Sequence, residues 1–451
     1  MADLNYSKVA KRGLSKELIV EMSKDKGEPS WMTEIRLDAL AKFYKLALPK
    51  WAEERLPQID YDSITYYAKA TDREATTWED VPKKIKETFD KLGVPKAEKE
   101  VLAGLSAQYE SNVLYNSIIE SLEKEGVVFT SMDKALKEHS DIVREHFSKL
   151  VPANDNKFAA LNTALWSGGS FLYVPRGVKV KRPLQAYFRI NMEGFGQFER
   201  TLIVAEEGAE VSYIEGCTAP SYSRDSLHAA VVEVFAKKGS RVRYTTVQNW
   251  SKNVLNLVTK RSIAYENAYI EWLDGNLGSK VTMKYPAVIL AGKGARGKII
   301  SIAYAGSGQL IDSGAKAIHT APNTSSTIIS KSISSGGGNA SYRGWVSVAK
   351  NATNSKIDVN CDALLMDGKS RTDTYPYIDV RNKKAVMSHE ASVGKISEEQ
   401  LFYLMNRGIK EEDARTMLVM GFLEEFTKEV PLEYAVELNR LIGMEMEGSV
   451  G

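Results

Sequence analysis

The sequence is poor in thiols, with only Cys217 and Cys361 among 451 residues. That scarcity excludes a disulfide framework and makes the reducing cytosol the simplest compartment. It also prevents the chain from closing a four-thiolate metal site with its own side chains. An excess of charge of either sign is lacking too: 60 basic residues face 58 acidic ones, a net +2. So balanced a chain has no electrostatic reason to bind nucleic acid. No run of about 18 apolar residues occurs, and no membrane span is expected. The opening MADLNYSKVAKRGLSKEL holds no apolar stretch of signal-peptide length.

What is present divides into three parts. The length alone argues for two or three domains. Residues 1–155 read as a helical region. In SWMTEIRLDALAKFYKLALP, Leu37, Leu40, Tyr44 and Leu48 fall on one helical face, with Ser30 as its cap and Pro49 at its stop. The stretches KAEKEVLAGLSAQYESNVLYNSIIESLEKEG and SMDKALKEHSDIVREHFSKL repeat the amphipathic pattern. Residues 156–395 change texture: alternating runs such as VSYIEG, RVRYTTVQNW, KIISIAYAG and KIDVNCDALLM recur. Small-residue corners open several of them, at Gly208-Ala209, Gly239-Ser240, Asn267-Ala268, Gly294-Ala295 and Asn339-Ala340. Strands recurring about every 30 residues favour a solenoid of stacked coils over a sandwich or barrel. Residues 396–451 return to helix. Ser397 and Gln400 form a capping box, Gly408 suits the C′ position, and Leu418, Phe422 and Phe426 line up on a second helix. Pro431 can open a third helix. These helices read first as a cap over the solenoid's end, and second as an apolar face for a partner.

Few motifs carry chemistry on their own. GKGARGKI at residues 292–299 spells two phosphate-loop patterns, but a strand-like run follows where a helix is required. It reads as a glycine-rich corner. In SHEAS, His389 and Glu390 are adjacent, so in a strand they face opposite sides. Alternation puts Cys361 on the face of Val359, opposite Asn360 and Asp362. Free cysteines are most often small buried hydrophobes, and the residues beside Cys217 and Cys361 give no obvious reason for a lowered pKa. Arg189 with Asn191, and Gln248 with Trp250, each share a strand face. Such pairs usually face solvent, and turned inward they need partners.

The runs SGGSFLYVPRGVKVKRPLQAYFRIN, YIEGCTAPSYSRDSLHAAVVEV, VQNW, VTKR, IHTAPNTSSTIISKSIS, NCDALLM, TYPYIDVRN, HEAS and ISEEQLFYLMNRGI together resemble the SufB/SufD family of the Suf iron–sulfur cluster assembly system. Combining the EGC and NCD segments places the resemblance on the SufB side. It covers the chain from about Ser30 to the C-terminus. It implies a mainly β fold, a right-handed parallel β-helix flanked by N- and C-terminal helical regions. It implies a scaffold, not an enzyme, that carries a transient iron–sulfur cluster. The implied partners are SufC, an ABC-type ATPase docking on the C-terminal helices, and SufD or a second SufB copy through the β-helix. The resemblance also implies that a cysteine desulfurase or sulfur carrier delivers persulfide sulfur. Carried over residue by residue, Cys217 matches the sulfur-receiving cysteine, and Cys361 the interfacial cysteine proposed as cluster ligand and sulfur end-point. Arg189, Asn191, Gln248, Trp250 and Lys260 match residues lining a proposed sulfur tunnel between them. His389 and Glu390 match the pair near the assembly site, with Glu390 joining Cys361 as a metal ligand. Arg189 and Lys260 are the cations expected to favour a charged sulfur. The cysteine-rich N-terminal motif of some members is missing here, which throws the weight onto Cys361. Two other readings compete: a structural, SufD-like partner, and a carbohydrate-active β-helix enzyme. The latter needs clustered acids, and only Asp358, Asp362 and Asp367 gather near Cys361.

Overall fold

The computed structural model describes residues 6–71, 102–429 and 440–443, with scattered positions between 75 and 86. Two sheets form its body. The first runs β4 (Asn112–Ile118), β3 (Gly104–Tyr109), β7 (Leu184–Arg189), β10 (Glu210–Thr218), β13 (Arg241–Trp250), β15 (Tyr269–Gly278), β18 (Arg296–Ala305), β20 (Ser325–Ser334), β22 (Lys356–Leu365) and β24 (Val386–Lys395). The second runs β5 (Val128–Ser131), β6 (Ser170–Val174), β9 (Arg200–Ala205), β12 (Val231–Ala236), β14 (Val254–Ala264), β16 (Val281–Lys284), β19 (Leu310–His319), β21 (Asn339–Val348) and β23 (Arg371–Val380). Short strands β8 (Gly196–Gln197), β11 (Ser226–His228) and β17 (Ala287–Leu290) join the second sheet. Strands β1 (Lys8–Val9) and β2 (Ala68–Lys69) pair separately.

From β7 onward the chain alternates between the sheets and every pairing within them is parallel. This is the predicted β-solenoid, of about 8 turns. The corners entering the first sheet repeat one device. Gly208, Gly239, Asn267, Gly294, Asn323 and Asn354 all take positive φ. Glycine and asparagine accept that conformation most cheaply. A small residue, from Ala209 to Ser355, then turns into the buried core. GKGARGKI is such a corner, followed by β18 and not by a helix. The Asn339-Ala340 pair lies inside β21, and its turn falls earlier, at Gly336 and Gly337.

Among the described residues the named helices are α1 (Lys16–Lys26), α2 (Ser30–Lys45), α3 (Lys50–Glu53), α4 (Glu120–Lys124), α5 (Met132–Glu138), α6 (Ser140–His146), α7 (Lys157–Leu165), α8 (Glu398–Met405) and α9 (Glu411–Glu429). None described is long and apolar enough to cross a membrane. Ser30 is the first residue of α2 and makes no capping bond; Pro49 lies beyond the helix end and caps α3. The buried side of α2 is Met32, Arg36, Ala39, Leu40 and Phe43, while Tyr44 is exposed. Arg36 is tolerated inside because Glu28 and the carbonyls of Ala164 and Trp166 satisfy it.

Two expectations are corrected. Much of the stretch read as helix between residues 96 and 126 is the antiparallel β3–β4 hairpin, and described helix there is confined to α4. Pairing of β3 with β7, and packing of Leu105, Tyr109 and Leu114 around Trp78, override the helical pattern. Among the described residues, the long C-terminal helix does not cap the solenoid. Helix α9 lies on the outer face of the first sheet, where Val419 and Leu423 meet Val247, Leu273, Ile300, Ile302 and Tyr304. Leu441 and Ile442 join that cluster. The rest of the helix expected after Pro431 falls outside the described residues. The last coil therefore ends in edge strands β23 and β24, with Tyr377, Ile378, Val386 and Val393 exposed.

Candidate functional site

Parallel stacking turns residues about 30 apart into columns, and every second residue of a strand points inward. Three inward columns of the first sheet carry the site. One is mostly apolar: Tyr213, Tyr244, Trp272, Ile299, Ile328 and Val359, ending in His389. The next is polar: Glu215, Thr246, Asp274, Ser301 and Ser330, reaching Cys361 and then Ala391. The third starts at Cys217 and continues through Gln248, Asn276, Ala303, Ser332 and Ala363. The two thiols thus occupy adjacent columns, five strand steps apart. At about 4.8 Å per step, that is about 24 Å along the solenoid.

Near Cys217 the interior is ionic. The Cys217 thiol donates to Glu215 Oε1 at 3.7 Å, and Tyr244 donates to Glu215 Oε2. Asp274 Oδ1 accepts from Lys260 at 3.0 Å and from Lys284 at 2.9 Å. Lys260 also bonds Thr246, and its ammonium lies 4.5 Å from the Tyr244 ring centroid. Asn256 Nδ2 and Lys284 Nζ both donate to Gln248 Oε1. His228 bridges Asn256 and Glu199. Burial pushes the Cys217 thiol well up, the charges of Glu215 and Glu199 add to that, and Lys260 and Lys284 oppose it. Burial also opposes the charge of Asp274, but its two lysines hold it at about 2. Burial lowers Lys284 to about 8 against the pull of Asp274. Several buried polar atoms here have no protein partner, among them Gln248 Nε2, Trp250 Nε1, Asp274 Oδ2 and Asn276 Oδ1. Buried polar atoms without a protein partner are costly unless something polar satisfies them.

At the open end, Cys361 is buried against Tyr342, which hydrogen-bonds it. Burial lifts its thiol to about 12. His389 is its diagonal neighbour on the inner face of β24. His389 Nε2 is buried without a partner, beside a small cavity lined also by Tyr342, Val346, Val359 and Met387. Glu390 aligns with Asn360 on the opposite, exposed face. Among the described residues no three His, Cys, Asp or Glu side chains converge as a metal-holding group.

The structure therefore brings Cys217, Gln248, Trp250 and Lys260 together inside the solenoid, with Cys361 and His389 at its open end. Arg189 and Asn191 stand apart from the columns. Arg189 is half-buried and bonds Thr218 at 3.1 Å, on the face opposite Cys217. Asn191 follows the end of β7, and its N–H donates to Glu110 Oε1. Of the C-terminal residues, Phe422 packs at the margin of the α9 interface under Lys331, Leu418 is half-buried, and the side chain of Phe426 lies outside the described residues. The sequence reading missed Glu199, Glu215, His228, Asp274 and Lys284. The one available signal was spacing: Glu215 is two residues from Cys217 and so shares its face.

Residues 188–422 match the family described as "SUF system FeS cluster assembly, SufBD core domain", and residues 20–186 match "SufBD protein N-terminal region". The chain is 59% identical to "Iron-sulfur cluster assembly protein SufB" of Bacillus subtilis, over 98% of this chain and 95% of that protein. Over the same shares it is 57% identical to an "Iron-sulfur cluster assembly SufBD family protein" of Staphylococcus epidermidis. A protein of the same description from Staphylococcus aureus is 56% identical, again over 98% and 95%.

Proposed function

We propose that this chain, which belongs to the SufBD family of the SUF iron–sulfur cluster assembly system, is a cytoplasmic scaffold of the SufB type. On it, persulfide sulfur and iron become a transient cluster that then passes to other proteins. Cys217 receives sulfur from a cysteine desulfurase or carrier. The sulfur moves past Gln248, Trp250 and Lys260 toward Cys361, with Arg189 and Asn191 at the outer start of the path. Cys361 binds the growing cluster, with His389 on the same inward face; Glu390, on the opposite and exposed face of β24, reaches a cluster only where a second chain meets that face. The observation that carries this reading is the polar column that runs from Glu215, on the same inward face as Cys217, through Thr246, Asp274, Ser301 and Ser330 to Cys361 near the last coil.

A buried thiol contributes as a soft iron ligand once metal binding displaces its proton, which is released. One chain offers too few ligands at Cys361, so the set is completed across edge strands β23 and β24 by a SufD-type chain or a second copy. Unpaired edges with exposed apolar side chains suit such pairing. Helix α9 is held against the solenoid by Leu423, and α8 exposes Phe402, Tyr403 and Met405. They are the docking surface for a SufC-type ATPase, to which ATP hydrolysis belongs. A SufD-like supporting role is the competing reading.

The test is anaerobic reconstitution of the complex with both partners, iron and sulfide, followed by visible absorption. Cys361→Ala is expected to lose most of the cluster absorbance while the complex stays assembled. A Cys361→Ala complex that builds cluster at the parent yield sinks the assignment and favours the supporting role.

A further inference from the structure

We propose that Glu215 is the proton acceptor for the Cys217 thiol during sulfur uptake. The inference rests on the reading of Cys217 as the sulfur-receiving residue and assigns the chemistry that makes it possible. Only the thiolate attacks sulfur, and Cys217 lies in an interior that favours the thiol. It is 1% exposed and has acidic neighbours. Something must take the proton at the moment of attack.

Glu215 is placed to do so. It is 3% exposed and shares the inward face of β10 with Cys217. Its Oε1 is the oxygen that accepts the thiol hydrogen, at 3.7 Å. Its Oε2 is held by the Tyr244 hydroxyl, so the carboxylate is oriented with one oxygen left for sulfur. Tyr244 is steadied in turn, between the rings of Tyr213 and Trp272 and under the Lys260 ammonium. The neighbouring rung holds Gln248, whose buried Nε2 has no partner and is available to a sulfur anion formed beside it. Lys284, which bonds the other end of that amide, and Lys260 are cations whose charges favour the Cys217 thiolate.

The step balances without a redox partner. The substrate is a persulfide, R–S–SH. The Cys217 proton passes to Glu215 as the thiolate sulfur bonds to the outer sulfur of the donor. The donor S–S bond breaks, and R–S⁻ leaves with the electron pair. Glu215 then returns its proton to the departing thiolate. The products are Cys217–S–SH and R–SH.

The experiment uses the full chain carrying Cys361→Ala, so that Cys217 is its single thiol, with glutathione persulfide as probe under anaerobic conditions. Sulfur added to Cys217 is followed by intact mass after alkylation, across a range of pH. The parent is expected to react at a rate that changes little near neutrality. Glu215→Gln keeps the Tyr244 contact but cannot take a proton, and is expected to be at least about 100-fold slower at neutral pH. Its rate should then rise about tenfold per pH unit, because hydroxide must do the work. The opposing effect separates a base from a mere neighbour: removing a negative charge beside a thiol eases its ionisation. A Glu215→Gln protein that reacts as fast as the parent or faster overturns the proposal. So does a slow variant, folded by circular dichroism, whose rate does not recover as the pH rises. A parent that takes up no sulfur at Cys217 refutes the sulfur-receiving reading itself.

Discussion

Replacing Glu110 with glutamine should stabilise this protein, and by an amount that grows with pH. Glu110 sits at the tip of the β3–β4 hairpin with φ 53, a conformation unfavourable for a residue with a side chain. It is fully buried. Its Oε1 accepts from the Tyr6 hydroxyl and from the Asn191 N–H, each at 3.0 Å, while Oε2 has no partner. That pattern describes a protonated acid, with Oε1 as the carbonyl and Oε2 carrying the proton. Burial raises the carboxyl from 4.5 to about 8, against the opposing pull of Tyr6, Asn191 and Arg189. A folded-state pKa above the unfolded one means that the folded chain holds the extra proton between those two values. Stability is then fully present below pH 4.5 and is lost as the pH rises toward about 8. Each unit costs about 1.4 kcal/mol, so the penalty is about 3 kcal/mol at pH 7 and about 5 kcal/mol over the whole window. Glutamine keeps the accepting oxygen, puts an uncharged amide where Oε2 stood and needs no proton. Because a solenoid can open one coil at a time, the suitable readout is native-state hydrogen exchange of the β3 and β4 amides, with urea midpoints as a check. The difference between Glu110→Gln and the parent should be small near pH 5, widen up to pH 8 and then level off. A difference that stays constant across that range refutes the reasoning.

Two further outcomes follow from packing inside and outside the solenoid. Asp274→Asn leaves the buried ammonium groups of Lys260 and Lys284 without their shared carboxylate. It should cost about 3–5 kcal/mol in urea denaturation. Replacing all three residues with apolar ones of similar size should recover most of that loss, and a single variant costing under about 1 kcal/mol contradicts the ion network. Leu423→Ala should cost about 2–5 kcal/mol and speed exchange of α9, because Leu423 is fully buried against the first sheet. Met417→Ala on the exposed side should stay within about 0.5 kcal/mol, and equal effects from the two would mean that α9 does not sit as described.

The repeating coil was legible in the residues alone, because coil length and the small-residue corners are local. Gly208, Gly239, Asn267 and Gly294 announce their turns through the backbone conformations that only such residues reach cheaply. Equally legible was that the chain cannot enclose a four-thiolate cluster, which is a matter of counting two cysteines. Alternation correctly put Cys361 with Val359, and His389 opposite Glu390. The rest depends on stacking. Whether Glu215, Asp274 and Lys284 meet inside the solenoid depends on register between strands and sheets far apart in sequence. A single strand's alternation says inward or outward, but not beside what. The same holds for β3 and β4, whose helical pattern lost to pairing with β7, and for α9. That helix's apolar stripe was legible, but not its seat on Ile300 and Ile302 instead of across the final coil. Where that helix sits is decided by long-range packing, and so is the place of Cys361, buried one strand in from the edge strand β24.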